Sequence, residues 1–117
     1  MKINLFLDDS RPCPKGFVHA KDADECMLLL RECDVRVLSL DYNLGWNAPT
    51  GLDVARFIVA SRRYPERIYL HSSSAAGRRR MFETLYPNKP DHVLIFNHPV
   101  PDDLLRSIAC GKFDMEK

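Results

Sequence analysis

Residues 35–41 have the sequence VRVLSLD, a short apolar run rich in β-branched residues that ends in the carboxylate of Asp41. A helical pattern precedes this run and a loop containing Asn, Gly and Pro follows it, so the run is predicted to be a buried central strand. Asp41 then lies at the carboxyl end of that strand. Because ligands bind at this edge of open α/β sheets, Asp41 is the first candidate site residue.

The N-terminus has the same pattern, since residues 3–7, which are apolar except for Asn4, form a predicted strand that leads directly into Asp8 and Asp9. Two predicted strands thus deliver three carboxylates to one edge of a sheet. Negative charges packed so closely repel unless protons or a cation neutralise them, and oxygen ligands suit a hard divalent cation such as Mg2+. The pattern favours a metal site, although each acid alone is more typical of a strand end or a helix cap.

Size, charge and cysteine usage bound the kind of protein. The 117 residues predict a single domain over residues 1–117, and the formal charge of +1 argues against a general nucleic-acid or membrane surface. The four cysteines lack CxxC spacing, and no segment resembles a signal sequence or reaches membrane length. We therefore expect a soluble, cytoplasmic protein with reduced, buried thiols.

Predicted strands and helices alternate along the rest of the chain. Further strands are expected at residues 17–20, 68–72 and 93–97, and helices at 22–32, 50–63, 77–85 and 102–109. Two prolines and a glycine exclude a helix at residues 10–16. Those residues span roughly 23 Å when extended, enough to pass a five-residue strand of about 17 Å and start a second, parallel strand. The alternation predicts a parallel sheet with helices on both faces.

This order of residues resembles the response-regulator receiver domain, a flavodoxin-like α/β fold with a five-stranded parallel sheet in the order 2-1-3-4-5. Receiver domains carry an acid pair after the first strand, an acceptor aspartate after the third, Ser or Thr after the fourth and Lys-Pro after the fifth. The residues at the corresponding places here are Asp8-Asp9, Asp41, Ser72 and His98-Pro99.

Two departures from the receiver pattern are informative. The first helix is lacking, replaced by the proline-containing residues 10–16, and His98 stands where receivers have lysine. Together with the motifs LFLDDxRP, LSLDxxLG…TGLDVA and LHS before a Gly-Arg helix, these features make the chain similar to a receiver variant, the cyclic-phosphate processing receiver domain.

The resemblance implies a Mg2+ site. Asp9, Asp41 and the backbone carbonyl of Asn43 would be direct ligands, with Asp8 acting through water. Asp41 would be the phosphoacceptor, since a divalent ion draws phosphate oxygens toward it and neutralises charge in an in-line displacement. The alternative is a fold that keeps the acids without turning over any substrate.

Phosphate contacts are expected from the following helix. Ser72 would donate a hydrogen bond to a phosphoryl oxygen, Ser73 and the free amides of the helix N-terminus favour an anion, and Arg78 is within reach of a phosphate. The serines at 72–74 are equally expected as helix caps. Arg79 and Arg80 point elsewhere by the 100° step of a helix and are expected in solvent.

Histidine and tryptophan add two open questions. His98 is an imidazole that can carry a proton, and His71 would flank the same phosphate only if its strand has ended, because alternation otherwise puts His71 and Ser72 on opposite faces. A buried, hydrogen-bonded role for His71 is an equal alternative. Trp46 either stacks on a base or, as we expect, packs to close its loop.

Three functions fit this sequence. The first is a domain that binds Mg2+ and opens a cyclic phosphate on a nucleotide or RNA end, with Asp41 or water attacking and His98 or His71 donating a proton. The second is a single-domain response regulator that a kinase phosphorylates on Asp41 and an effector protein reads. The third is a non-catalytic interaction module. The sheet surface left by the absent helix is expected to be covered by residues 10–16 or by a second subunit in a homodimer.

Overall fold

Five parallel strands form one sheet in the computed structural model, which describes residues 2–113. The strands are β1 (Lys2–Leu7), β2 (Val18–Ala20), β3 (Asp34–Leu40), β4 (Arg67–Leu70) and β5 (Leu94–Phe96). Their order across the sheet is β2-β1-β3-β4-β5, and every neighbouring pair is parallel. The flavodoxin-like fold and strand order expected from the sequence are confirmed.

Four α-helices connect or follow the strands, and side chains cap three of them. The helices are α1 (Ala23–Glu32), α2 (Gly51–Ser61), α3 (Ala75–Leu85) and α4 (Asp102–Ala109), with a short 3-10 turn at Tyr86–Asn88. Asp22 caps α1, Thr50 and Asp53 form the predicted capping box of α2, and Ser74 caps α3 by accepting a hydrogen bond from the backbone amide of Gly77.

The strand β4 ends at Leu70, two residues earlier than the sequence pattern indicates. The reason is local: the Ser72 hydroxyl oxygen accepts a hydrogen bond from the backbone amide of Ser74 at 3.1 Å, which turns the chain away from the sheet and into α3.

The two faces of the sheet are covered differently. On the first, which we call the three-helix face, α1, α2 and α3 pack against alternate strand residues that are fully buried: Leu5, Leu7, Leu38, Leu40, Ile68 and Leu70. On the second, the one-helix face, α4 packs against Val37 and Tyr69. The strand alternation therefore separates a large core from a small one.

Residues 8–17, which we call the proline loop, cover part of the one-helix face. No helix forms there, as predicted. Gly16 has a φ of +91° and lies so close to α4 that an added Cβ atom would meet Ile108 Cγ2 at 2.8 Å. The Phe17 ring meets the Phe6 ring edge-on, with 6.3 Å between centroids. The chain thus covers this surface with its own loop.

Neither disulfides nor membrane-spanning helices contribute to the fold of residues 2–113. All four cysteines are free, but the expectation that they are buried holds only for Cys26, since Cys13 and Cys33 are partly exposed and Cys110 is exposed. Burial of Cys26 in α1 raises the pKa of its thiol. None of the helices in the described part of the chain is long and apolar enough to cross a bilayer.

Candidate functional site

Asp8, Asp41 and His71 meet at the carboxyl edge of the sheet. They follow three neighbouring strands, β1, β3 and β4, and one ligand-type atom from each lies within 4.8 Å of the others. Asp8 and Asp41 are buried, and the His71 side chain is 6% exposed. The strand ends thus bring together the two acids that the sequence places on separate strands.

Five hydrogen bonds hold the Asp8 carboxylate. Its Oδ1 atom accepts from the backbone amides of Ser10 and Arg11, both at 2.9 Å, and from the Ser10 hydroxyl at 3.4 Å. Its Oδ2 atom accepts from Arg11 Nη1 at 2.7 Å and from His71 Nε2 at 2.9 Å. Burial by itself raises the pKa of Asp8, but these hydrogen bonds outweigh it and hold the pKa well below its usual range. Asp8 is therefore a fixed anion.

Arg11 lies between the two carboxylates. Its Nη1 atom is 2.7 Å from Asp8 Oδ2 and 3.6 Å from Asp41 Oδ2, and its side chain is 44% exposed. Sequence reasoning assigned no role to Arg11, although it is the arginine of the motif LFLDDxRP. The positively charged guanidinium therefore lies where it partly neutralises both carboxylates.

Asp41 is held less firmly than Asp8. Its Oδ1 atom accepts a hydrogen bond from the backbone amide of Tyr42 at 2.8 Å. Burial and the negative charge of Asp8 raise the pKa of Asp41, while the Tyr42 amide, His71 and the Ser72 hydroxyl act in the opposite direction. A cation at this edge would relieve the repulsion between the two acids.

His71 enters the site from the one-helix face. Its Nε2 atom faces the Asp8 carboxylate, so this nitrogen carries the hydrogen, and the Ser39 hydroxyl then donates to Nδ1 at 2.7 Å. The ring stacks on Phe6 with 4.8 Å between centroids and a 4° angle between planes. Burial lowers the pKa of His71, which favours this neutral form. His71 therefore lies against Asp8 and is also buried and hydrogen-bonded.

Ser72 and the start of α3 lie on the other side of Asp41. Ser72 is buried, and a hydrogen bond from its hydroxyl lowers the pKa of Asp41. The Arg78 side chain folds back onto the chain before α3, where its Nη1 atom donates to the carbonyl oxygen of Ser72 at 2.5 Å. Of the three serines, Ser74 is the helix cap and Ser73 is exposed.

Comparison with known proteins identifies the family. The model of the cyclic-phosphate processing receiver domain matches residues 3–87 of the 117. The chain belongs to this family. The match includes both acids, Arg11, His71 and Ser72, and ends before His98.

The receiver fold is also found among solved structures. The chain is similar to the receiver domain of the Francisella response regulator 1452, with a TM-score of 0.61 and 13% sequence identity over 99% of this chain and 98% of that chain. At this identity the similarity concerns the fold alone. No curated protein matches the sequence.

Three predicted site residues of this receiver domain lie outside the buried cluster. Asp9 is exposed, and its Oδ2 atom lies near Gly45, 3.7 Å from where a Cβ on that glycine would be. Asn43 is exposed. His98 is exposed and its Nδ1 atom hydrogen-bonds with the Pro99 carbonyl oxygen at 2.7 Å. These residues are at the surface of the site rather than in its buried part.

Trp46 differs from the expectation. The side chain of this loop residue was expected to pack, but it is 94% exposed, so the packing prediction is wrong. The adjacent Gly45 and Asn47 both have positive φ values, +113° and +59°, which let the loop turn without a buried anchor. Periodicity gives no information about such a loop.

Proposed function

We propose that this receiver domain binds Mg2+ and a phosphate group at the Asp8, Arg11, Asp41 and His71 site and opens a cyclic phosphate. The observation that supports this most is the pair of buried carboxylates with a single, half-exposed guanidinium between them. Such a pair offers the oxygen ligands that suit a hard divalent cation. The name of the family to which the chain belongs supports a cyclic phosphate as the class of substrate. That this phosphate belongs to a nucleotide or RNA end is our own proposal.

The residues present fit a hard divalent cation. Asp8 and Asp41 supply carboxylate oxygens, and the exposed Asp9 carboxylate and Asn43 carbonyl follow them in the chain. These four would hold Mg2+, with Asp41 and Asp9 binding directly and Asp8 through water. When bound, the ion neutralises charge on the phosphate and draws its oxygens toward Asp41.

Arg11 has a second role in this proposal. In the structure its guanidinium neutralises Asp8 and Asp41. With a divalent cation at these carboxylates, that neutralisation would no longer depend on Arg11. Its guanidinium, carried by a loop and 44% exposed, would then be available for two parallel hydrogen bonds to phosphate oxygens.

Three further side chains have separate roles. Ser72, buried beside Asp41, donates its hydroxyl hydrogen to a phosphoryl oxygen. His71 orients the Asp8 carboxylate, and because its Nε2 hydrogen is already donated to Asp8, it is not the proton donor. Water or Asp41 forms the new bond to phosphorus as one ring P–O bond breaks, and we assign proton transfer to the departing ring oxygen to His98, which is exposed after β5.

The test is hydrolysis of adenosine 2′,3′-cyclic phosphate followed by 31P NMR, together with Mg2+ titration monitored by backbone NMR shifts. We expect Mg2+-dependent opening of the ring in the wild type, loss of at least about a hundredfold in Asp41→Asn, and a similar loss in Arg11→Met. Arg79→Met, which removes an exposed arginine of α3, is the matched control and should behave as wild type. Turnover that is absent, or unchanged by Asp41→Asn, contradicts the proposal.

A second candidate function is signalling through phosphorylation of Asp41. The hydroxyl of Ser72 beside Asp41 supports it, because a phosphoaspartate needs a donor at that place. In this case a kinase phosphorylates Asp41 and an effector protein recognises the result. Incubation with acetyl phosphate and Mg2+ should add one phosphoryl group by intact mass in the wild type and none in Asp41→Asn. Failure of both assays would favour a non-catalytic interaction module.

A further inference from the structure

A cavity of about 200 Å3 lies on the one-helix face beside the acid cluster. Its apolar walls come from three parts of the chain, namely β1, the proline loop and the segment from β5 to α4: Phe6, Pro14, Phe17, Pro99, Val100 and Leu105. Its polar lining consists of Arg11, Ser39 and His71. The cavity is therefore apolar on most sides and polar on one.

The polar wall is shared with the candidate site. Arg11 and His71 both line the cavity, and both hydrogen-bond with the Asp8 carboxylate, at 2.7 and 2.9 Å. A phosphate held by Arg11 would therefore lie next to the mouth of the cavity. The rest of the same ligand could then enter the apolar part of the cavity, which Arg11 and His71 also line.

The lining favours a flat aromatic ring. Phe6 is stacked with His71, and Phe17 meets Phe6 edge-on, so ring surfaces form one side of the cavity. The Ser39 hydroxyl donates its hydrogen to His71 Nδ1 at 2.7 Å, so neither that hydrogen nor the Nδ1 lone pair is left for a sugar. The volume is below the roughly 300–1,000 Å3 of pockets for drug-sized ligands, which fits one ring system.

We propose that this cavity binds the base of a nucleoside phosphate whose phosphate lies at the Asp8, Arg11 and Asp41 site. The placement of the phosphate rests on the proposed function, whereas the placement of the base rests on the cavity itself. Trp46 is the other aromatic side chain considered for base stacking. It offers one exposed ring and no enclosure. The cavity has apolar walls from three parts of the chain, so its geometry favours the cavity over Trp46 as the place where a base binds.

The experiment compares three probes by isothermal titration: adenosine, inorganic phosphate with Mg2+, and adenosine 3′-monophosphate with Mg2+. We expect the nucleotide to bind about tenfold or more tightly than inorganic phosphate, because burial of the base adds to the phosphate contacts. Leu105→Phe, which fills the cavity, should remove this gain and leave phosphate binding unchanged within about twofold. Leu104→Phe on the same helix, at a residue outside the cavity, is the matched control and should retain the gain.

Phe17→Ala provides a second test that removes a wall instead of filling the space. It should also reduce nucleotide binding while phosphate binding remains. Trp46→Ala should leave both unchanged. Loss of the nucleotide gain in Trp46→Ala, equal losses in Leu105→Phe and Leu104→Phe, or a nucleotide no tighter than inorganic phosphate would each overturn the proposal.

The two proposals fail in different ways. Adenosine that binds in a Leu105-dependent manner, without any binding of inorganic phosphate, supports the cavity and contradicts the phosphate site. Phosphate that binds with Mg2+, without any gain from the base, contradicts the cavity and leaves the phosphate site supported. Absence of binding by all three probes overturns the cavity proposal as well.

Discussion

The three-helix face and the one-helix face of the sheet differ in what their buried residues do. On the three-helix face, strand residues such as Leu38 and Leu70 are fully buried under α1, α2 and α3. On the one-helix face, the alternate positions include Ser39 and His71, which are polar and connect to Asp8. The difference indicates that most of the stability comes from one face, whereas the other face supports the site.

The largest expected effect is on the three-helix face. Leu38→Ala should lower the free energy of unfolding by about 2–5 kcal/mol, because it leaves a cavity in a fully buried core. Leu105→Ala on the one-helix face should cost only about 1 kcal/mol, since Leu105 is half-buried. Urea denaturation of both variants measures the contrast. Equal losses would show that the two faces contribute alike.

A smaller effect is expected at the edge where the faces meet. Asp8→Asn should destabilise the protein by about 3 kcal/mol in EDTA, because the amide nitrogen faces the donors of Arg11 and His71 and the guanidinium loses the nearer of its two carboxylates. Asp9→Asn is the matched control, as it changes the adjacent, exposed acid. It should change stability by no more than about 0.5 kcal/mol. A similar loss in both variants would remove the distinction between a buried and an exposed member of the acid pair.

The contact between the proline loop and α4 can be measured with two glycines. Gly16 and Gly111 both have positive φ values, +91° and +76°, but only Gly16 lies against Ile108, and Gly111 has nothing within 4 Å of an added Cβ. Alanine is strained at both positions. Gly16→Ala should therefore destabilise the protein by about 1–2 kcal/mol more than Gly111→Ala in thermal or urea unfolding. Equal effects would mean that the loop does not depend on α4.

The smallest effect is expected for Trp46. Trp46→Ala should leave the free energy of unfolding unchanged within about 0.5 kcal/mol, because the side chain is 94% exposed and belongs to neither face. Urea denaturation followed by circular dichroism gives the value. A loss above 1.5 kcal/mol would show that Trp46 packs in solution.

Much of the fold follows from the sequence because its signals are local. The apolar run before Asp41 and the capping box of Thr50 and Asp53 each specify an element without reference to the rest of the chain. The end of β4 was predicted two residues late because Ser72 leaves the sheet through a hydrogen bond to Ser74. Strand periodicity does not contain that information.

The site could be predicted only where it depends on strand ends. Asp8 and Asp41 meet because β1 and β3 are neighbours. The sequence does not decide whether His71 enters the site, because this depends on where β4 ends. The sequence also does not reveal the role of Arg11, because the direction of its side chain depends on the path of a loop. The cavity could not be predicted, because β1, the proline loop and α4 build it together.

The proline loop has a consequence for how ligand preference can diverge in this family. One continuous segment, residues 8–17, supplies Arg11 to the acid cluster and both Pro14 and Phe17 to the cavity, while its two ends are fixed by β1 and β2. Replacing this segment with that of a relative would therefore change the side chains of both proposed binding regions together, while the sheet and the helices remain as they are.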